Sequence, residues 1–392
     1  MRSVIKKTLW SLLAILCLLL VAAAIYLYPY FRMPPESKAE LDANLATYQA
    51  AGREMAARPK EGRQALEALI KEMDPLLQKQ KDWPQGEGCP PYEIPQLKAQ
   101  EPIINQLQSF GSRFQVMMYS HFALQQDADF NAEIMRFYPI RQFIYWELGG
   151  AVLDFHEGRR AEAIQRLAAM IKFDNVLFQT PALIYNMMAI ALNVKIYPVI
   201  VFILPRLTEI EIDQLVEMLK VLPDARTALI QAMEVEMAEV TQMLDGLRAN
   251  PDTKDPLIHL ARVTGYLKRE RYQYLSFAGR EIKAMQDWVS AGGKDPYRSP
   301  IGLELKYCPF VSMSWPNSTS LMEKAAGEMQ RRQAVIAAIQ MVRERNHASD
   351  KKTVELPYLA SSGDNPGRFV INQEYGCILP AGQAEEGKPA AK

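Results

Sequence analysis

The feature that most constrains this chain is an uncharged run from Thr8 to Phe31, almost wholly apolar from Leu9 to Leu27. A helix apolar all round must bury itself on every side, in a bilayer or inside a protein. At 1.5 Å per residue, about 20 apolar residues cross a hydrocarbon core of roughly 30 Å. Arg2, Lys6 and Lys7 precede the run; Trp10 lies at one end and Tyr26, Tyr28 and Tyr30 at the other, where amphipathic rings favour the headgroup level. Pro29, Pro34 and Pro35 close it. Residues 1–7 then form a cytoplasmic basic N-terminus and residues 8–31 a transmembrane signal-anchor, with the rest of the chain on the far side.

A cleaved signal peptide is the competing reading, with Leu9–Val21 as its core and Ala22–Ala24 as an A-x-A-like site. Ile25, Leu27 and Phe31 carry the apolar character past that site, which favours a retained anchor. Cys17 follows the bulky Leu16, against a lipoprotein site. The expected location is a bacterial inner membrane with the bulk of the chain in the periplasm. A eukaryotic type II protein is the alternative, and only there would Asn317-Ser318-Thr319 be a glycosylation acceptor.

A second apolar stretch, Leu183–Leu204, contains Asn186, Asn193, Lys195 and Pro198. A lysine at the centre of a span costs about 2.5–3.5 kcal/mol, so the stretch reads as a buried core helix kinked at Pro198.

Beyond Pro35 the apolar spacing is helical almost throughout, and the fold class is all-α: a multi-helix domain over residues 36–350 made of α-α hairpins, with a solenoid-like stack as one arrangement. Helices are expected over Glu36–Ala57, Arg63–Gln78, Pro102–Gln126, Asn131–His156, Arg159–Phe173, Pro181–Leu204, Glu209–Leu222, Asp224–Ala249, Pro256–Ala291 and Ser318–Asn346. Thr180-Pro181 reads as an N-cap with N1 proline, and Thr208-Glu-Ile-Glu211 as a capping box. Trp83–Pro95 is too rich in Pro and Gly to be helical. Residues 351–380 read as a small hairpin of Thr353–Leu359 and Arg368–Leu379, with Pro357 demoting the first strand to an edge. Residues 381–392 read as a disordered tail. Around Gly158, Ala163 and Leu167 the segment Trp146–Leu167 resembles one tetratricopeptide-like turn. The pattern does not recur at a 34-residue period, so the resemblance implies an α-α hairpin and nothing further.

Forty-five basic residues against 45 acidic ones give no reason to expect nucleic acid as a partner, since phosphate neutralisation needs a cationic surplus. Cys89, Cys308 and Cys377 all fall in non-helical segments beyond the expected membrane, and one structural disulfide among them is anticipated, its pairing open. No C-x-x-C is present. His121, His156, His259 and His347 are scattered, so neither a metal site nor a cofactor is expected. Glu234, Glu236, Glu239 and Asp245 read as a solvated helix face, and Met233 and Met237 as core filling. The two S-x-x-K matches, Ser3–Lys6 and Ser349–Lys352, have no supporting motif. No catalytic constellation emerges.

Two functions of different class remain. One is a non-enzymatic envelope interaction or scaffold protein with a protein partner. The other is an extracytoplasmic enzyme or ligand-binding protein whose site is assembled from dispersed helical residues. For the latter, Arg136, Arg141, Trp146 and Glu147 mark the candidate pocket, in an aromatic-rich helical stretch.

Overall fold

The architecture comes from a computed structural model describing residues 28, 33–56, 61–77, 92–111, 130–180, 182–249, 256–293, 295–301, 308, 315–347, 353–357, 368–372 and 377–380. The expected anchor at 8–31 lies almost wholly outside these residues, as do both S-x-x-K matches and the tail. The described chain is mostly helical. It divides into two compact units: residues 1–50, 237–285 and 298–317 in one, and 51–236, 286–297 and 318–392 in the other.

In the order of the chain the helices are α1 (Lys38–Ala56), α2 (Glu61–Leu77), α3 (Ile94–Ala99), α4 (Glu101–Gly111), α5 (Phe130–His156), α6 (Arg160–Gln179), α7 (Leu183–Ile203), α8 (Glu209–Lys220), α9 (Ala225–Ala249), α10 (Pro256–Val263), α11 (Tyr266–Ser290) and α12 (Ser318–His347). In the second unit α5 is the hub. It packs against α2, α3, α4, α6 and α7, and its residues from Phe143 to Phe155 are almost all buried. Gly149 and Gly150 make this close packing feasible. A Cβ on Gly149 would lie 2.8 Å from Leu97 Cδ2, and one on Gly150 would lie 2.7 Å from Ile104 Cγ2.

Short connections fold α5, α6 and α7 back on one another, as in α-α hairpins. The first turn places Gly158 at φ +84°, a conformation that only glycine adopts without strain. Ala163 and Leu167 are buried just beyond it. At the start of α8, Thr208 accepts from the Glu211 backbone N–H while Glu211 accepts from the Thr208 N–H at 2.6 Å, the reciprocal pair the spacing predicts.

Four local expectations are corrected. Pro95 lies in the first turn of α3, where its missing N–H costs nothing, so the end of the Pro/Gly-rich stretch is helical. Thr180 does not cap α7; its hydroxyl donates back to Val176 O at 2.8 Å, and the N-cap is Ala182. The expected helix Pro256–Ala291 is two, broken at Gly265 with φ +74°. The Glu234–Asp245 face is not freely solvated: burial raises the Glu234 and Glu236 carboxyls, and Asp245 pairs with Arg271 at 2.9 Å.

Among the described residues α7, continued to Arg206, is the one helix long and apolar enough to cross a membrane. It is packed against α5, α6 and α12. Asn186 and Asn193 are fully buried; the Asn186 amide donates to Thr180 O at 2.9 Å and the Asn193 amide to Glu328 at 3.1 Å. Lys195 lies over the Tyr145 ring at 5.9 Å.

Near the C-terminus three segments, β1 (Thr353–Pro357), β2 (Arg368–Asn372) and β3 (Cys377–Pro380), pair antiparallel in that order. The second run therefore contributes two strands rather than one, and β1, with Pro357, is an edge.

In the first unit, Ser276 on α11 donates to Glu36 at 2.7 Å. Tyr274 and Phe277 each make a T-shaped contact with Trp315. Cys308 is fully buried and takes a hydrogen bond from Arg269 Nη1 at 3.0 Å. No disulfide occurs among the described residues, and the side chains of Cys89 and Cys377 lie outside them.

Candidate functional site

Ionisable side chains are concentrated at two places in the core of the second unit, both on α6. The first is built around Arg166. Its Nε donates to Asp154 at 2.7 Å and its Nη1 to Glu147 at 2.8 Å, so one guanidinium bridges two carboxylates of α5. Arg166 also reaches Ile104 O and Asn105 on α4, each at 3.5 Å. It fits because Gly150 has no side chain: a Cβ there would lie 3.0 Å from the guanidinium carbon. Around the turn, Arg159 donates to Asp154 at 2.7 Å and to Glu101 at 3.1 Å, and pairs with Glu157. Lys98 closes the chain of charges, 3.2 Å from Glu157.

Burial and pairing act in opposite directions here. Desolvation pushes the Glu147 carboxyl up to about 7, although Arg166 pulls it down. At the more open end, hydrogen bonding from Lys98 and from Arg159 holds the Glu157 carboxyl below its ordinary range.

The second cluster joins α6, α7 and α12. Glu328 Oε1 accepts from Tyr197 Oη at 2.5 Å, Asn193 Nδ2 at 3.1 Å, and Arg332 Nε and Nη2 at 3.1 and 2.9 Å. Arg332 Nη1 donates to Leu222 O at 3.0 Å and Pro223 O at 2.7 Å, and the guanidinium lies over Phe178. Asp174, fully buried, has Glu328, Arg332 and Asn193 as its polar neighbours.

Of the residues singled out for a pocket, Trp146 and Glu147 point into the core, each 1% exposed, whereas Arg141 is exposed. The side chain of Arg136 lies outside the described residues. Arg166, Asp174, Glu328 and Arg332 were not singled out by sequence. A charge embedded in an apolar frame, as in Ile171-Lys-Phe-Asp-Asn-Val-Leu-Phe178, was the available signal. Among the described residues no group of three or more His, Cys, Asp and Glu side chains is arranged to hold a metal ion.

With Glu147, Arg166, Asp174 and Glu328 at 0–2% exposure, these groups face helix contacts rather than solvent. Chemically, the arrangement can hold register: sliding α6 along α5 would break an arginine fork that holds two carboxylates. No protein-family model, curated protein or solved structure matches the chain.

Proposed function

We propose that this chain is a single-pass membrane protein of the cell envelope, anchored by residues 8–31, whose helical domain lies beyond the membrane and acts as a non-enzymatic interaction or scaffold protein. The observation that carries the reading is the burial of the Glu147–Arg166 pair at 1% exposure on both sides. The one carboxylate in the stretch singled out for a pocket, Glu147, is engaged in holding two helices together. A rigid set of hairpins, α4 to α8, suits a short solenoid-like stack that offers helix faces to a partner. The anchor rests on the Arg2/Lys6/Lys7 flank, the apolar run and its aromatic ends.

Site-directed photocrosslinking in intact membranes tests the interaction role. With the probe at the exposed positions Gln96, Ile210 and Leu260 in turn, at least one position is expected to give a discrete adduct with another protein. No protein adduct from any of them, across growth conditions in which the chain is present, would contradict the reading.

A further inference from the structure

Hydrogen-bond donors and acceptors do not balance around Asp174. Both of its carboxylate oxygens are buried without a hydrogen-bond partner, and so are Glu328 Oε2 and Asn193 Oδ1. All three residues are fully buried. The hydrogen bonds that the donors of the cluster do form go to other acceptors. Tyr197 Oη and the Asn193 amide serve Glu328 Oε1, and Arg332 divides its N–H groups between Glu328, Tyr197 Oη and two backbone carbonyls. Formal charge is unbalanced in the same place, with two carboxylates facing one guanidinium. A carboxylate left in this condition carries the full cost of desolvation, which a buried acid ordinarily escapes by taking up a proton.

We propose that this cluster is a proton-binding site: Asp174 is held as a neutral carboxylic acid in the folded protein, its single proton supplying a donor among the unpartnered oxygens of Asp174, Asn193 and Glu328. Asp174 rather than Glu328 carries the proton, because Glu328 Oε1 already receives four donated hydrogen bonds. The uncharged acid also leaves one carboxylate against one arginine. Burial and the nearby Glu328 charge act in the same direction, both raising the Asp174 carboxyl, and only Arg332 and Asn193 oppose them. The other charged groups packed on α6 are engaged apart from this point. Glu147 and Asp154 of α5 hold Arg166, Glu101 of α4 holds Arg159, and Glu211 of α8 holds Arg160. Asp174 is eight positions beyond Arg166, about 12 Å along the helix. A neutral acid makes the α6–α7–α12 packing sensitive to alkali: the folded chain must retain a proton that the unfolded chain has released.

The sign follows from linkage. Above about pH 4 the unfolded aspartate is ionised and the folded one is not, so each pH unit costs the wild type a factor of about ten in its folding constant until Asp174 ionises. The Asp174→Asn variant, a neutral isostere, escapes that cost. Urea unfolding of the full chain in detergent, wild type against Asp174→Asn, is measured from pH 5 to 8. The variant's folding constant is expected to gain on the wild type about tenfold per pH unit until Asp174 ionises. A constant ratio across the range, or a variant that does not fold, overturns the proposal. So does stabilisation of the wild type by sodium but not choline at equal ionic strength, which would put a metal cation in place of the proton. The wild type alone gives a second readout: an infrared C=O band of a non-ionised carboxyl must persist when the pH is raised past the titration of Glu147, and its absence overturns the proposal.

Discussion

Glu147 and Arg166 meet at 2.8 Å with both side chains 1% exposed, across a contact between two helices that a single tight turn folds back on each other. Such a pair adds little net stability over a well-packed apolar one, but breaking it from one side leaves a bare charge in the core. Substitution of Arg166 by Met, which removes the fork, strands Glu147 and leaves Asp154 with Arg159 alone, should cost about 3–5 kcal/mol. Urea midpoints of the full chain in detergent measure this, and a cost below about 1 kcal/mol would deny the pair its structural role.

The same pair has a pH dependence of defined sign. The folded Glu147 carboxyl titrates at about 7, above its ordinary value of 4.5, so the folded state binds the proton more tightly than the unfolded one. Its contribution is therefore fully present below the unfolded value and is lost as pH rises to about 7. The Glu147→Gln variant should gain on the wild type between pH 5 and 7.5 and level off above. Denaturation midpoints for both proteins across that range provide the check.

Gly150 tests the close approach that lets Arg166 in. A methyl group there meets Ile104 at 2.7 Å and the guanidinium at 3.0 Å, and neither can withdraw without disturbing the core. Gly150→Ala should destabilise by about 1–3 kcal/mol despite alanine's better helix propensity. Gly246→Ala, which meets nothing within 4 Å, serves as the control and should be neutral or stabilising.

Much of the helical framework was legible in sequence because helix signals are local. The Thr208–Glu211 box and the Gly158 turn depend on residues within four positions of one another. Errors arose where a local signal had two uses. Pro95 can end a loop or start a helix, and Thr180 can cap the next helix or bond back to Val176. The Pro256–Ala291 periodicity continues on both sides of Gly265, so nothing in it marked the break. The clusters were harder still. Glu147 stood out as a charge in an apolar stretch, but its partner is 19 positions away, and Asn193 meets Glu328 across 135. Periodicity tells which face of a helix is buried, not what lies opposite. The proposed anchor differs: what supports it is in the sequence, as a run of apolar residues with asymmetric flanks.

Arg332 offers a test of geometry over charge. Its fork serves Glu328, Tyr197 and the carbonyls of Leu222 and Pro223 together. Lysine keeps the charge but cannot span these acceptors, so Arg332→Lys should still cost about 2–4 kcal/mol. A cost near zero in chemical denaturation would show that charge alone suffices.

The central claim is that one span, residues 8–31, tethers a helical domain lying wholly on one side of the membrane, with α7 in its core. Single cysteines placed at Gln96, before α7, and at Ile210, after it, test this directly, since both positions are exposed. Treated with a membrane-impermeant thiol reagent on intact cells or spheroplasts, both are expected to react from outside, above the labelling of the chain without added cysteine. Reaction of one from outside and of the other only after permeabilisation would make α7 a second span and contradict the claim. So would protection of both until the membrane is opened.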